Sequence, residues 1–214
     1  MKKLIFLLTV ITVISMHTHA QKSQVGITAG TAIANYKAKV GSITVSTKSN
    51  AGFTAGVFAN IAAGNSLVFQ PALNWVQKGA KTDESANGYT EKSSLITSHI
   101  EVAANTLYSS NGFFAGGGPT LSFGISGTSK AESGGTKTSE KVKFGNGDND
   151  DMKSFDLGAN IVAGYQLKNG FLIAANYNIG LSNLAPGSGS DKGKLKSSYF
   201  GIRLGFVINK AGSK

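Results

Sequence analysis

His99 stands two residues before Glu101, so in an extended strand both side chains fall on one face. An imidazole beside a carboxylate is an orienting pair for a nucleophile, and Ser122 would supply one if its strand ran alongside. That trio would suit a lipid-modifying or proteolytic enzyme. No nucleophile motif or set of oxyanion donors accompanies it, so a polar pair inside a folded core is the simpler reading. A second constellation is Lys78, Glu101, Asp156 and Arg203, each on the polar side of a different alternating segment. In a narrow interior of low dielectric, such charges must pair. They would line a gated polar path or, as the reading favoured here, form a sealed, salt-bridged core. Contact between Asp156 and Arg203 across one intervening strand is one such pairing, and Arg203→Leu is then expected to lower heat resistance. A third group, Asp148-Asn-Asp-Asp151 after Phe144-Gly-Asn-Gly147, gathers oxygen ligands. It lacks the alternate acids and distal Glu of an EF-hand loop and reads as a solvated acidic turn. No catalytic, cofactor-binding or metal-ligating residue is assigned, and no cofactor is expected.

The elements that position these residues follow from composition. The chain has 214 residues, of which 28 are Gly and none Cys, with 15% charged and 41% hydrophobic. Low charge with this apolar content argues against disorder. The missing Cys excludes disulfide scaffolds and thiolate metal sites. One domain or at most two fit the length.

Residues 1–20 read as a cleaved signal peptide. Met1-Lys2-Lys3 is basic, Leu4 to Ile14 is apolar apart from Thr9 and Thr12, and Thr18-His-Ala20 offers small residues at a cleavage site. The apolar run is too short for a span, which needs about 20 residues. Cleavage would leave residues 21–214 as a single domain with a net charge of +10 − 2 = +8. Export argues against nucleic acid as the partner of so basic a protein and favours lipid phosphates or acidic glycans. Lys130, Lys137, Lys141, Lys143, Lys192, Lys194 and Lys196 would face lipopolysaccharide phosphates, with ordinary solvated lysines as the plainer reading.

Period-two alternation recurs in eight segments, roughly 24–34, 52–61, 66–78, 95–108, 112–126, 154–167, 170–181 and 197–208. In the second, Phe53, Ala55, Val57 and Ala59 oppose Thr54, Gly56, Phe58 and Asn60. Strands of about 10–14 residues outrun the usual ~5–6 of soluble sheets and suit a tilted membrane crossing. A face of Gly and amides suits a narrow interior. Read as up-and-down strands, the apolar face carries Phe53, Trp75, Phe123, Phe155 and Phe200 near the outer ends. Tyr108, Phe113, Tyr165, Phe171 and Phe206 fall near the inner ends, so two aromatic girdles are predicted. Short turns with the Asn-Gly signal, Ser109-Ser-Asn-Gly112 and Lys168-Asn-Gly170, alternate with long connections at about 35–51, 79–94, 127–153 and 182–196. The predicted fold is an all-β, eight-stranded antiparallel up-and-down transmembrane barrel with short periplasmic turns and long outer loops. Closure follows because an open sheet edge in hydrocarbon leaves backbone groups unpaired, at several kcal/mol each.

Particular runs then resemble a known family. Phe53-Thr-Ala-Gly-Val-Phe58, Leu67-Val-Phe-Gln-Pro71 and Val76-Gln-Lys-Gly-Ala-Lys81 are similar to the second and third strands of PorT-like outer-membrane β-barrel proteins of Bacteroidetes. So are Phe113-Phe-Ala-Gly-Gly-Gly-Pro119, Phe155-Asp-Leu-Gly158, Ala163-Gly-Tyr165, Tyr177-Asn-Ile-Gly-Leu-Ser-Asn183 and Gly201-Ile-Arg-Leu-Gly-Phe206. The fourth strand departs, with Ile100-Glu-Val-Ala103 where such proteins often read Leu-Glu-Ile-Pro. The chain also continues past Phe206, the best match to a terminal assembly-signal aromatic. The resemblance implies an outer-membrane location, contact with lipid and lipopolysaccharide, and passage through the barrel-assembly machinery. It implies a non-enzymatic envelope, interaction or secretion-associated role. A small-solute pore is the alternative, and an outer-membrane lipid-modifying enzyme is the third.

Overall fold

A computed structural model describes residues 23–40, 43–86, 89–187 and 193–210. The cleaved leader expected at residues 1–20 lies outside them, as does Lys192. Ten strands follow in order: β1 Gln24–Val40, β2 Ile43–Ser46, β3 Lys48–Ala62, β4 Leu67–Ala86, β5 Tyr89–Ser110, β6 Phe113–Ser133, β7 Thr136–Lys141, β8 Phe155–Gln166, β9 Phe171–Gly180 and β10 Lys194–Lys210. Eight of them close a ring in the order β10-β9-β8-β6-β5-β4-β3-β1, with β1 pairing back to β10. Every ring pairing is antiparallel. The short β2 and β7 hang on β1 and β6.

The alternation reads directly as burial. Along β8 and β9 every second residue is exposed, Phe155, Leu157, Ala159, Ile161 and Phe171, Ile173, Ala175, Tyr177 among them. Their neighbours Asp156, Asn160, Asn176 and Asn178 are buried. Apolar side chains thus point out and polar ones in, the reverse of a water-soluble barrel. At the inner end, Asn111 and Gly112 take positive φ of 52° and 86°, the backbone an Asn-Gly hairpin needs.

The sheet is taller than the alternation suggested. Segments 79–94 and 127–141, expected as outer loops, instead continue β4, β5 and β6 and add β7. β5 has 22 residues where β9 has 10. Ser, Thr, Lys and Glu fill these outer halves, so the hydrophobic period that marks a membrane strand stops there. Cross-strand hydrogen bonding continues without it.

Pro71 and Pro119 sit inside strands, which their missing N–H would normally forbid. Both lie at gaps in a ladder. The β3–β4 pairing skips from Phe58–Ala72 to Ile61–Phe69, and the β5–β6 pairing skips from Ala103–Thr120 to Thr106–Gly117. Each proline keeps its register with the other neighbour, Pro71 opposite Ala104 and Pro119 opposite Ala159.

The inward glycines make room for large interior side chains. A methyl group added at Gly164 would overlap the ring of Phe114 and the carbonyl of Ile173. Substitution by Val is therefore expected to cost about 1–3 kcal/mol through overpacking. Urea unfolding in detergent would measure it, and an unchanged midpoint would show that the interior has slack.

Candidate functional site

The interior is layered along the barrel axis. Near the inner end, Phe58, Leu107, Phe114, Val162, Leu172 and Val207 form a buried apolar cluster. An amide chain rises past it. Gln70 Nε2 donates to Asn60 Oδ1 at 2.9 Å, and Asn105 Nδ2 to Gln70 Oε1 at 3.4 Å. Asn160 Nδ2 then donates to Asn105 Oδ1 at 3.0 Å, and Asn176 Nδ2 to Asn160 Oδ1 at 3.1 Å. An amide both donates and accepts, so one residue type can satisfy a whole file of buried polar groups.

Above the amides lie the four charges predicted to face inward. Lys78, Glu101 and Asp156 are buried and Arg203 is half-buried. They form two sets that meet at Tyr199. Lys78 Nζ is 3.8 Å from Asp156 Oδ2, which also accepts from Ser197 Oγ at 2.8 Å. The Lys78 ammonium lies 5.5 Å from the centre of the Tyr199 ring. In the second set, Arg203 Nη2 donates to Tyr199 Oη at 3.2 Å and Nη1 to Asn74 Oδ1 at 3.1 Å. Tyr199 Oη donates to Glu101 Oε1 at 2.7 Å, and Ser122 Oγ to Glu101 Oε2 at 3.1 Å.

The expected contact between Asp156 and Arg203 is therefore corrected: Asp156 takes Lys78 instead. Register explains it. Arg203 stands opposite Ala174, which stands opposite Gly164, 164 − 156 = 8 residues along β8 from Asp156. Tyr199, which shares the polar face of the eighth alternating segment with Arg203, links Arg203 to Glu101. Only its parity with Arg203 on one strand could have flagged it.

His99 does not meet Ser122. Its Nε2 lies 2.9 Å from Thr97 Oγ1, which is 2.8 Å from Tyr36 Oη, and its ring packs edge-on to Phe144 at 6.1 Å. Ser122 bonds Glu101 rather than the imidazole. His99 is 1% exposed.

The outer mouth is closed by the chain itself. Tyr36, Ala80, Met152 and Leu184 form a buried cluster, with Leu95, Val142, Phe144 and Leu195 packed on it. Met152, Val142 and Phe144 come from the connection before β8, and Leu184 from the connection after β9. Backbone bonds from Lys153 N to Leu184 O at 2.9 Å and from Leu184 N to Leu195 O at 2.8 Å tie the two together. The acidic turn in this connection braces its own backbone. Asp150 Oδ2 accepts from Gly147 N at 2.7 Å, and Asp151 Oδ2 accepts from Lys143 N at 2.8 Å. Among the described residues no group of three His, Cys, Asp or Glu is placed to hold a metal ion.

Two open spaces belong to the lower half. A vestibule of about 210 Å³ at the inner mouth is lined by Gln24, Asn60, Gln70, Phe114, Gln166 and Leu172, among others. A cavity of about 50 Å³ lies between Glu101, Arg203, Asn105 and Asn176. Arg203 Nε and Asn176 Oδ1 are buried there without a protein partner. The space is large enough to hold a water.

On the outside, Phe53, Phe123, Phe155, Phe200, Tyr108, Phe113, Tyr165, Phe171 and Phe206 are exposed, while Trp75 is half-buried. Phe123 stacks edge-on against Phe155 at 5.3 Å, and Phe171 against Phe206 at 5.0 Å. On β8, Phe155 and Tyr165 are 165 − 155 = 10 residues apart. That is ~33 Å along a strand and ~25 Å along an axis tilted ~40° from it, the height of an outer-membrane apolar band.

A family model described as the outer membrane protein beta-barrel domain matches residues 19–185. No curated protein matches the sequence. Among solved structures the chain is similar to Ail, the attachment invasion locus protein of Yersinia pestis. Identity is 15% and the TM-score 0.42, over 86% of this chain and 99% of that one. It is similar to Neisserial surface protein A at 13% identity and a TM-score of 0.41, over 85% and 96%. It is also similar to OprG from Pseudomonas aeruginosa at 12% identity and a TM-score of 0.39, over 88% and 97%.

Proposed function

Because this chain belongs to the outer membrane protein beta-barrel domain family, we propose that it is a non-enzymatic, non-conducting barrel that anchors a surface platform in the envelope. The observation that carries this reading is the filled upper interior. Lys78, Glu101, His99 and Tyr199 are each 1% exposed, beneath a cap in which Met152 and Leu184 are 2% and 1% exposed. A path for solute would have to pass through both layers. The lower spaces of about 50 and 210 Å³ favour neither transport nor catalysis, because they end below that seal.

The aromatic residues act as interfacial girdles in this reading, and the exposed apolar rows between them contact acyl chains. The outer halves of β4, β5 and β6, with β7, form the platform. They extend well past the length a membrane crossing needs, about 9–11 residues. The resemblance to PorT-like proteins supports a secretion-associated role for such a platform. Entry to the membrane would use the barrel-assembly machinery after removal of residues 1–20.

Planar bilayer recording tests the seal. The full barrel is expected to give no single-channel steps. Removing the cap with Phe144→Gly, Met152→Gly and Leu184→Gly is expected to leave conductance absent too, because the charged layer still blocks the way. Regular steps from the unmodified barrel would establish the pore instead.

A further inference from the structure

Lysines of the outer strand ends face outward in directly opposed pairs. Lys37 stands opposite Lys196 and Lys39 opposite Lys194, across the β1–β10 seam. All four are exposed, and they share the outward face because they alternate with the inward Tyr36 and Ser197. Lys48 stands opposite Lys81 across β3–β4. Like charges directly opposite on a sheet are destabilising. Among the described residues no acid pairs with the four seam lysines.

Their height matters. Lys196 is 200 − 196 = 4 residues beyond Phe200 on the same face of β10. That is ~13 Å along the strand and ~10 Å above the outer ring of aromatics at a tilt of ~40°. Further around the barrel a second group stands higher, with Lys130 lying 130 − 123 = 7 residues beyond Phe123 on β6. Lys81, Ser94, Lys130 and Ser139 stand opposite one another in turn, beside Lys92, Glu132 and Lys137 in the next row. There they line a shallow concavity of about 700 Å³. Lys137 has Glu132 at 3.8 Å, and Lys92 stands opposite Asp83 on one side and Glu132 on the other. Beyond the buried Lys78, the opposite face of the same strand ends carries Glu91 and Glu140.

We infer that this lysine collar is a docking surface for the phosphate groups of the glycolipid in the outer leaflet around the barrel. The inference rests on the membrane-barrel reading above. It selects the glycolipid over a soluble anion because the lysines continue the lipid-facing side of the strands, at the level where head groups lie. An anionic layer pressed against them would turn opposed like charges from a cost into a bridged site.

The test reconstitutes the full-length barrel, in which Lys37→Gln, Lys39→Gln, Lys194→Gln and Lys196→Gln are combined, beside the unmodified protein. Vesicles are phosphatidylcholine alone, or doped with bisphosphorylated lipid A, with the same lipid A stripped of phosphate, or with phosphatidylglycerol at matched charge. Unfolding temperature is read by heat-modifiable gel migration. The unmodified barrel is expected to gain several degrees with bisphosphorylated lipid A and much less in the other vesicles. The variant is expected to lose that gain, yet to equal or exceed the unmodified protein in phosphatidylcholine, where repulsion is relieved. Equal gains from stripped lipid A or from phosphatidylglycerol would overturn the assignment, as would a variant that keeps the gain. Failure of the unmodified protein to insert in any vesicle would instead overturn the membrane-barrel reading itself.

Discussion

Lys78→Met is expected to destabilise the folded barrel by about 3–5 kcal/mol, because it strands the buried Asp156 carboxylate without its cation. Both side chains are nearly inaccessible, at 1% and 3% exposure, and the pair spans β4 and β8, on opposite arcs of the ring. Its loss would therefore loosen contacts that no neighbouring ladder replaces. Ser197 Oγ, 2.8 Å from Asp156, compensates only part of the charge. Combining Lys78→Met with Asp156→Leu is expected to recover most of the loss, since an apolar pair of similar volume often matches a buried ion pair. The unpaired Ser197 hydroxyl would hold the double variant about 1 kcal/mol short. Urea unfolding of the two single variants and the double variant gives the cycle. Additive losses would show that Lys78 and Asp156 do not interact.

Glu101→Leu is expected to have an effect of the same order, about 3–5 kcal/mol, for a different reason. Glu101 is the acceptor for two buried hydroxyls, Tyr199 Oη and Ser122 Oγ, and its charge offsets Arg203 through Tyr199. Arg203→Leu leaves Glu101 with both hydroxyl donors in place, so it is expected to cost less than Glu101→Leu while still lowering the gel melting profile. Tyr199→Phe separates the two, because it breaks the link while keeping the ring over Lys78. If the Tyr199→Phe and Arg203→Leu losses are non-additive in the double variant, the chain of hydrogen bonds is real. A melting profile unchanged by Arg203→Leu would remove Arg203 from the network.

The polarity of the two faces was legible because strand parity needs no tertiary information. Phe53, Val57, Leu157, Ile161, Ile202 and Leu204 repeat every second residue, and all are exposed. Eight such runs, with Asn-Gly in two of the three short turns, were enough to close the ring. The outer halves of β4 to β6 were not legible. Lys81, Ser94, Lys130 and Ser139 stand among Ser, Thr and Ala with few large apolar residues, so no hydrophobic period betrays the strand. The cap was hidden for a related reason: Met152 and Leu184 are single apolar residues in polar connections, and only the mouth they fill gives them meaning.

What the residue order determined by itself was local. Alternation chose strand over helix, told each side chain whether to face in or out, and placed Lys78, Glu101, Asp156 and Arg203 inside. Which of these charges meet was decided by the tertiary structure, because partnership across a barrel depends on the stagger of every strand between. That stagger carried Arg203 away from Asp156 and toward Tyr199, and brought Lys78 to Asp156 from across the ring. It also set lysine opposite lysine on the outer rim, a juxtaposition that no single strand contains.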